Sequence, residues 1–336
     1  MKKIKVKQCA YLIATILALI VLGSGYGSCT MFSDRLSDSA MVALDSFHHC
    51  QYMARSRGIG AAGRRSEQFD YANLLSRHTT AEQLVEIANT DTSRITRLWA
   101  YRILLKKADN QVIDVLKQAL KDTTYVEMMS GCSEFEEPYN RAAISIYRYD
   151  SYELKLPNQL CFSLDSLIFF GYMKNKGFEN GLLMDFKPHK IYYATVIEEA
   201  DKGNYAILPL LAQYKNPNDR QRINKLLKNN LKKAGVCSHE ACEAISNWND
   251  PAFEWYAKAA CQATIKQEYY YAWDILHLLC AYPAPWSYQI LKKLLTQKGD
   301  YSNSDTAKDY LRERYKTRPV PPIFKPLYDR YVARKK

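Results

Sequence analysis

The sequence lacks the features that mark membrane-spanning, fibrous or disordered chains. Its longest apolar run, residues 10–22, is shorter than the roughly 20 residues that a membrane-spanning helix needs. Only 13 of the 336 residues are glycine and 12 are proline, too few for a collagen-like chain, and a hydrophobic content of 47% excludes a wholly disordered one. A globular protein remains, with enough length for one extended domain or two compact ones.

Most of the chain also lacks a surplus of charge. The formal net charge of +12 comes from residues 1–28, which carry +4, and from residues 312–336, which carry +7, so the body between them is close to neutral. Nucleic-acid phosphates are bound by basic charge spread over a contact face. The charge distribution therefore predicts that nucleic acid is not a partner.

Motifs for common chemistries are missing as well. There is no G-x-S-x-G sequence and no adjacent set of Ser, His and Asp. Residues 58–63 match G-x-G-x-x-G, but no strand pattern precedes these glycines, as pyrophosphate binding at a strand-to-helix turn requires. We therefore expect a flexible basic loop between helices there, and we predict no catalytic residue and no cofactor.

Two clusters contain metal-ligating residue types, one over residues 48–50 and one over residues 237–242. Neither has the second pair of ligands that a zinc site needs, and Glu243 stands where H-E-x-x-H would have its second histidine. We predict no metal site. Cys237 and Cys242 are close enough in sequence to form a disulfide in an oxidising compartment, and this pairing stays open.

The amino terminus has the pattern of a secretory signal peptide. Four lysines within residues 2–7 precede the apolar run, and small residues follow it up to Ser28. A basic segment, a short apolar segment and a small-residue cleavage region, in that order, direct export. We predict a signal peptide over residues 1–28.

The signal ends in Gly27-Ser28-Cys29, which resembles the bacterial lipobox. The resemblance implies that Cys29 is lipidated and becomes the first residue of the mature protein. The chain would then be anchored to a membrane of the bacterial cell envelope, facing the periplasm or the outer surface. Plain secretion after cleavage before Ser28, and an uncleaved anchor, are the alternatives.

Beyond residue 66 the apolar residues recur three and four positions apart, which is the period of an amphipathic helix. Thr79-Thr80-Ala81-Glu82 predicts a capping box at the start of one helix. We find no run with the alternation of a strand. We therefore predict an all-α fold of helix pairs with short loops, with later helices over 138–149, 164–175, 189–200, 205–214, 219–232, 239–248, 252–265, 269–280, 286–297 and 304–315.

One helix pair resembles a HEAT repeat. After an apolar helix, Asp91, Arg97 and Ala100 stand at the offsets at which HEAT repeats have an aspartate, an arginine and a small residue. Residues 116–126 restart the pattern, and residues 203–232 follow it more faintly. The resemblance implies an α-solenoid of stacked antiparallel helix pairs. An irregular helical domain is the alternative.

Breaks in the helical pattern divide the chain. Residues 131–137 form an acidic stretch without helical periodicity, and residues 151–160 contain Pro157. The predicted segments after the signal peptide are a tether with a first helix and a Gly/Arg loop (29–65), an amino-terminal helical half (66–150), a carboxy-terminal helical half (151–316) and a proline-rich basic tail (317–336).

Aromatic residues are in excess, with 26 tyrosines and several adjacent rings. Neighbouring side chains of a helix point about 100° apart, so a run of rings cannot be buried on one face. Tyr and Trp are favoured at binding surfaces because they combine a large contact area with a polar tip. The predicted contact residues are Trp248, Trp255, Tyr269, Tyr270, Tyr271, Trp273 and Trp286. A tyrosine-rich core between helices is the alternative.

Together these features predict an exported, lipid-anchored helical-repeat protein that serves as a protein-binding scaffold at the cell envelope and is not an enzyme. A glycan-binding lipoprotein, whose rings stack on sugars, is the first alternative. An all-α hydrolase, whose acids are brought together from distant helices by folding, is the second.

Overall fold

The computed structural model describes residues 36–183, 186–234, 238–266, 272–296 and 303–333. The predicted signal peptide and Cys29 lie outside these ranges. The described chain is mostly helical, as predicted, and it divides into two compact units between Tyr172 and Met173. None of the described helices is long and apolar enough to cross a membrane.

The first unit combines helices with a small sheet. The elements are α1 (Asp38–His48), β1 (Met53–Ile59), β2 (Arg64–Arg65), α2 (Gln68–His78), α3 (Ala81–Thr90), α4 (Arg94–Lys106), α5 (Val112–Ala119), β3 (Tyr125–Gly131), β4 (Ser133–Pro138), α6 (Tyr139–Leu154), α7 (Asn158–Ser166) and a π-helical segment (Leu167–Met173). Helices α3, α5 and α7 pack against one another in that order, and α4 packs between α2 and α6.

The prediction of a fold without strands is wrong, because the first unit contains a four-stranded sheet in the order β2-β1-β3-β4. Strands β1 and β3 are parallel, and the other two pairings are antiparallel. The segment predicted as an acidic loop contains β4. Strand β1 has the sequence MARSRGI, in which Ile59 is the only β-branched residue and no residue is aromatic, whereas strands are usually rich in both types. Its pairing with β3, far away in sequence, determines its conformation.

The segment predicted as a loop between helices is the turn of the β1–β2 hairpin. Gly60 and Gly63 have φ angles of 72° and 60°, in the left-handed region that glycine adopts without steric cost. The backbone N–H of Gly60 donates to the carbonyl of Gly131 at 2.8 Å, which fixes the turn against β3. A strand-turn-strand geometry offers no helix N-terminus to a phosphate.

A buried polar network holds β1 to the surrounding helices. Arg102 of α4 forms two bonds of 2.7 Å to the carboxylate of Asp150 and a third, of 3.2 Å, to the carbonyl of Ala54. The Oε1 atom of Gln68 accepts from the Ala54 N–H at 2.9 Å and from Nε1 of Trp99 at 2.8 Å. Both backbone groups of Ala54 are thus bonded to side chains, which closes this edge of the sheet to another strand.

The HEAT-like residues join successive helices of the first unit. Arg97 donates to the carbonyl of Ala88 and to the carboxylate of Asp122, both at 3.1 Å, and its guanidinium lies 4.4 Å from the ring centroid of Tyr139. Asp91 ends α3, and its carboxylate bonds Nε2 of His48 at 2.9 Å. Arg97 therefore connects the helix pair α3–α4 to the segment that follows α5.

The second unit is helical throughout its described residues. Its helices are α8 (Lys174–Lys176), α9 (Asn180–Leu183), α10 (Lys190–Asp201), α11 (Leu208–Gln213), α12 (Arg220–Ala234), α13 (His239–Trp248), α14 (Glu254–Thr264), α15 (Ala272–Ala281), α16 (Pro285–Thr296), α17 (Asn303–Arg314) and α18 (Lys325–Tyr331). Short 3₁₀ turns precede α11, α12 and α14; they are Tyr205–Ile207, Pro217–Asp219 and Pro251–Phe253.

These helices pack in two series. Helices α10, α12, α14 and α16 contact one another in that order, and α11, α13, α15 and α17 form the second series. Pro217, Pro251 and Pro285 stand at equal intervals of 34 residues near the starts of α12, α14 and α16. The buried core positions of these helices repeat at the same interval: Ile223, Ala257 and Leu291; Leu226, Ala260 and Leu294; Leu227, Cys261 and Leu295.

Candidate binding site

The tryptophans of the predicted contact region are spread over helices α13 to α16. Trp248 and Trp286 are half-buried. The ring of Trp248 packs edge-on against Phe253, with 5.1 Å between ring centroids, and Nε1 of Trp286 donates to Oε1 of Glu254 at 2.8 Å. These two rings are used mainly in packing within the unit.

Trp255 and Trp273 are the exposed tryptophans of the described chain, with 37% and 50% of their surface accessible. Trp273 packs edge-on against Tyr310 at 5.2 Å. Tyr269, Tyr270 and Tyr271 lie outside the described residues. Other tyrosines are fully buried in the core, as the alternative interpretation of the aromatic excess expects: Tyr101, Tyr139, Tyr147, Tyr192 and Tyr256.

Trp255 lines an open groove of about 570 Å³ between α12 and α14. We call it the Trp255 groove. Its lining comprises Gln221, Asn224, Lys225, Lys228 and Asn229 of α12, with Ala252 and Trp255 on the other side.

The amphipathic sequence of α12 brings these polar side chains together. Ile223, Leu226 and Leu227 are buried and occupy one side of the helix. The lining residues recur at the three- and four-residue spacing of the opposite side. The residues that pack α12 into the core therefore also orient its polar side towards the groove.

Adjacent rings of α14 serve different purposes. Trp255 Nε1 donates to Oδ1 of Asn224 at 2.7 Å, and the hydroxyl of the buried Tyr256 donates to Oδ1 of Asn230 at 3.1 Å. Both bonds join α14 to α12, and the bond to Asn224 fixes the orientation of the exposed indole. Burial raises the pKa of Tyr256 to about 12, so its hydroxyl stays protonated and neutral at physiological pH.

Helix α12 is strongly basic and contains no acidic residue. Its two arginines are paired: Arg220 bonds Asp250 at 2.7 Å, and Arg222 bonds Asp201 at 2.6 Å and Asp219 at 3.1 Å. Burial alone would raise the pKa of Asp250, but its hydrogen bonds from Arg220 and from the backbone lower it. Asp250 is therefore ionised and forms an ion pair with Arg220.

The two lysines of the groove differ from the arginines. Among the described residues, neither Lys225 nor Lys228 forms an ion pair, and both are exposed. The ammonium of Lys228 lies 6.0 Å from the ring centroid of Trp255, at the outer limit of a cation–π contact.

The lining of the groove provides hydrogen-bonding groups, positive charge and one aromatic ring. Its lining offers amides, ammonium groups and an indole, with neither a carboxylate nor a nucleophilic side chain. Small-molecule pockets are mostly apolar and enclose their ligand. Here only Ala252 and Trp255 are apolar and the groove is open, which is typical of a surface for a larger partner.

The other clusters singled out in the sequence have structural partners. The described residues hold no group of three or more His, Cys, Asp or Glu arranged for a metal ion. In the cluster of residues 48–50, Nε2 of His48 bonds the carboxylate of Asp91, and Nδ1 of His49 bonds the backbone carbonyl of Asp45. Cys242 is buried and disulfide-bonded, while Cys237, its predicted partner, lies outside the described residues.

A second cavity, of about 350 Å³, lies in the first unit and is lined in part by Cys50, Arg64, Arg65 and Tyr71. Burial, followed by the charge of Glu67, raises the pKa of the Cys50 thiol. A thiol with a raised pKa is a poor nucleophile, so this cavity does not resemble a cysteine active site.

Sequence reasoning predicted Trp255 but missed the side of α12 that faces it. The available signal was the segment RQRINKLLKNNLKKA, in which basic and amide residues follow a helical period without any acid. Such a pattern usually marks a helix face that is exposed to solvent. Here only the position of Trp255, opposite this face, indicates that it lines a groove.

Comparison with protein-family models finds no family that matches the chain. Searches of curated proteins and of solved structures find no match either.

Proposed function

We propose that the protein is an exported, lipid-anchored α-solenoid that acts as a protein-binding scaffold at the bacterial cell envelope, with the Trp255 groove as a contact site. The observation that carries the proposal is an exposed indole, fixed by Asn224, opposite a polar and basic helix face. Tryptophans surrounded by such polar rims contribute a large share of the energy of protein interfaces.

The solenoid part of the proposal is supported by the second unit. Two series of helices pack in succession, and both the prolines and the buried positions recur every 34 residues. In a solenoid each helix pair covers the apolar face of the next, and one side of the array presents an extended binding surface. The Arg97–Asp122 bond joins successive helix pairs of the first unit in a similar manner.

The location is supported by the sequence before the described residues. The basic and apolar segments of residues 1–28 match an export signal, and Cys29 follows them at the lipobox position. The residues between Cys29 and α1, which include Thr30, Ser33 and Asp34, suit a tether between a lipid anchor and a folded body.

Site-specific crosslinking in living cells tests the scaffold function. A photoreactive amino acid at Gln221, in the groove, should capture one protein in stoichiometric amount, identified by mass spectrometry. The same probe at Asn247, which is exposed on α13, is the matched control and should not capture it.

Trp255→Ala in the Gln221 probe strain should abolish the crosslink, because the indole is the main apolar contact of the groove. Absence of a protein crosslink from Gln221, while the protein is present at its normal level, contradicts the proposed scaffold function.

A further inference from the structure

The unpaired lysines of α12 indicate the charge of the ligand. Both arginines of the helix are neutralised by aspartates, whereas Lys225 and Lys228 are left without an acidic partner among the described residues. Like charges three residues apart on a helix repel each other. A ligand that brings negative charge to the rim of the groove removes this repulsion.

The amides of the groove indicate its hydrogen-bonding character. Because Oδ1 of Asn224 already accepts from Trp255, its NH₂ group supplies the donors that remain for a ligand. Gln221 and Asn229 are exposed and each offers a donor and an acceptor. A peptide backbone carries one donor and one acceptor per residue, and therefore matches such a row of amides.

We propose, building on the scaffold function above, that the Trp255 groove binds an extended acidic peptide segment of its partner. Carboxylates on alternate residues would face Lys225 and Lys228, and the residue between them, which points to the opposite wall of the groove, would pack on the indole. Alternate side chains of an extended chain lie roughly 6.5–7 Å apart on one face. Helix residues three apart have Cβ atoms about 5–6 Å apart, so long lysine side chains meet both carboxylates.

Fluorescence anisotropy with a defined probe tests this assignment. The probe is a short fluorescein-labelled peptide in which glutamate alternates with valine, and the control peptide has glutamine at every glutamate position. The full chain should bind the glutamate peptide and not the glutamine peptide. Binding should weaken as salt is added, because exposed charges are screened.

Variants of the groove should change this binding by predictable factors. Lys225→Gln with Lys228→Gln removes two exposed ion pairs and should weaken binding about tenfold. Trp255→Ala should weaken it by roughly thirtyfold or more, as loss of a hot-spot ring does. Lys292→Gln with Lys293→Gln, on exposed lysines of α16, removes the same charge outside the groove and should leave affinity within about twofold. Circular dichroism verifies that each variant is folded.

The outcomes separate this inference from the scaffold proposal. Equal binding of both peptides, or no binding of either, overturns the acidic-peptide assignment, while a protein crosslink from Gln221 would still support the scaffold. Binding of polygalacturonate without binding of the glutamate peptide also overturns it, and assigns the groove to an acidic polysaccharide. Peptide binding without any crosslink in cells supports the ligand chemistry and contradicts the scaffold function.

Discussion

Arg102 is a buried residue that links helix α4 to helix α6 and to strand β1 in the first unit. Its guanidinium and the carboxylate of Asp150 are each only 3% exposed, and its third bond reaches the backbone of β1. A buried ion pair contributes little more to folding stability than an apolar pair of similar shape. The loss of one partner, however, leaves an uncompensated buried charge, which is strongly destabilising.

We therefore expect Arg102→Ala to lower the free energy of unfolding by about 3–5 kcal/mol. Arg65→Ala, which breaks the exposed pair with Asp70, is the matched control and should cost less than about 1 kcal/mol. Urea denaturation followed by circular dichroism measures both. Similar losses for the two variants would show that burial of the Arg102 pair has no special weight.

At the residue scale the sequence allows prediction of local contacts only. The capping box of α3 was predicted with Thr79 and Glu82, but Thr80 is the N-cap and exchanges hydrogen bonds with Gln83, one residue further on. The spacing of residues along the chain indicates that a cap is present. Which of the two threonines serves as the N-cap depends on the turn before the helix. The Arg102–Asp150 pair leaves no such signal, because its partners are on different helices.

At the scale of elements, helices were predictable and strands were not. The predicted helix over 239–248 has the bounds of α13, because Ser238 caps one end and Asn249, with a φ of 54°, ends the other. Local periodicity and caps determine such a helix. Strands β1 and β3 pair over a long stretch of chain, and β3 contains Glu127 and two methionines, which favour helix as readily as strand.

The β3–β4 hairpin contains a like-charge pair that makes its stability depend on pH. Glu127 and Glu136 stand directly opposite each other. The pKa of Glu127 is raised by its side-chain hydrogen bond with Glu136, then by burial and by the charges of Glu136 and Glu134. The folded chain thus holds this proton more tightly than the unfolded chain, so stability is gained below the ordinary carboxyl pKa and lost as the pH rises through the folded value.

Glu127→Gln should therefore raise the melting temperature at pH 7, because it removes the carboxylate that stands directly opposite Glu136. The gain should disappear near pH 4, where the wild type carries the proton. Thermal unfolding at the two pH values measures the difference, with Glu86→Gln, an exposed glutamate of α3, as the matched control. A gain for Glu127→Gln that is the same at both pH values would contradict the repulsion argument.

At the scale of the whole molecule, the candidate binding site depends on features that the sequence shows only in pieces. Trp255 was predicted from the aromatic excess, and the basic segment of α12 is visible in the printed chain. Their meeting in one groove depends on the 3₁₀ turn at Pro251–Phe253 and on packing between α12 and α14, which no local pattern encodes. The 34-residue interval is also hard to recognise in the sequence. Its prolines recur, but its core positions share only their apolar character and not the same residue types.

The location of the whole molecule gives a further prediction. For the proposed lipid-anchored protein, Cys29→Ser should remove the site of acylation, so the protein should leave the membrane fraction and no longer incorporate labelled fatty acid. Cell fractionation and metabolic labelling measure the two effects, and Cys50→Ser, on a half-buried free cysteine, is the control. A Cys29→Ser protein that still takes up the label would rule out lipidation at this residue.

In the proposed solenoid, the regular 34-residue interval would make the second unit modular in length. Where neighbouring helix pairs carry the stability, a chain tolerates the gain or loss of whole intervals better than of fragments. Duplication of residues 216–283 would carry α12, α14 and the Trp255 groove together and create a divalent protein without any new contact chemistry. Two such grooves on one array would hold a partner with two matching segments by avidity, so binding strength is adjustable by copy number as well as by substitution.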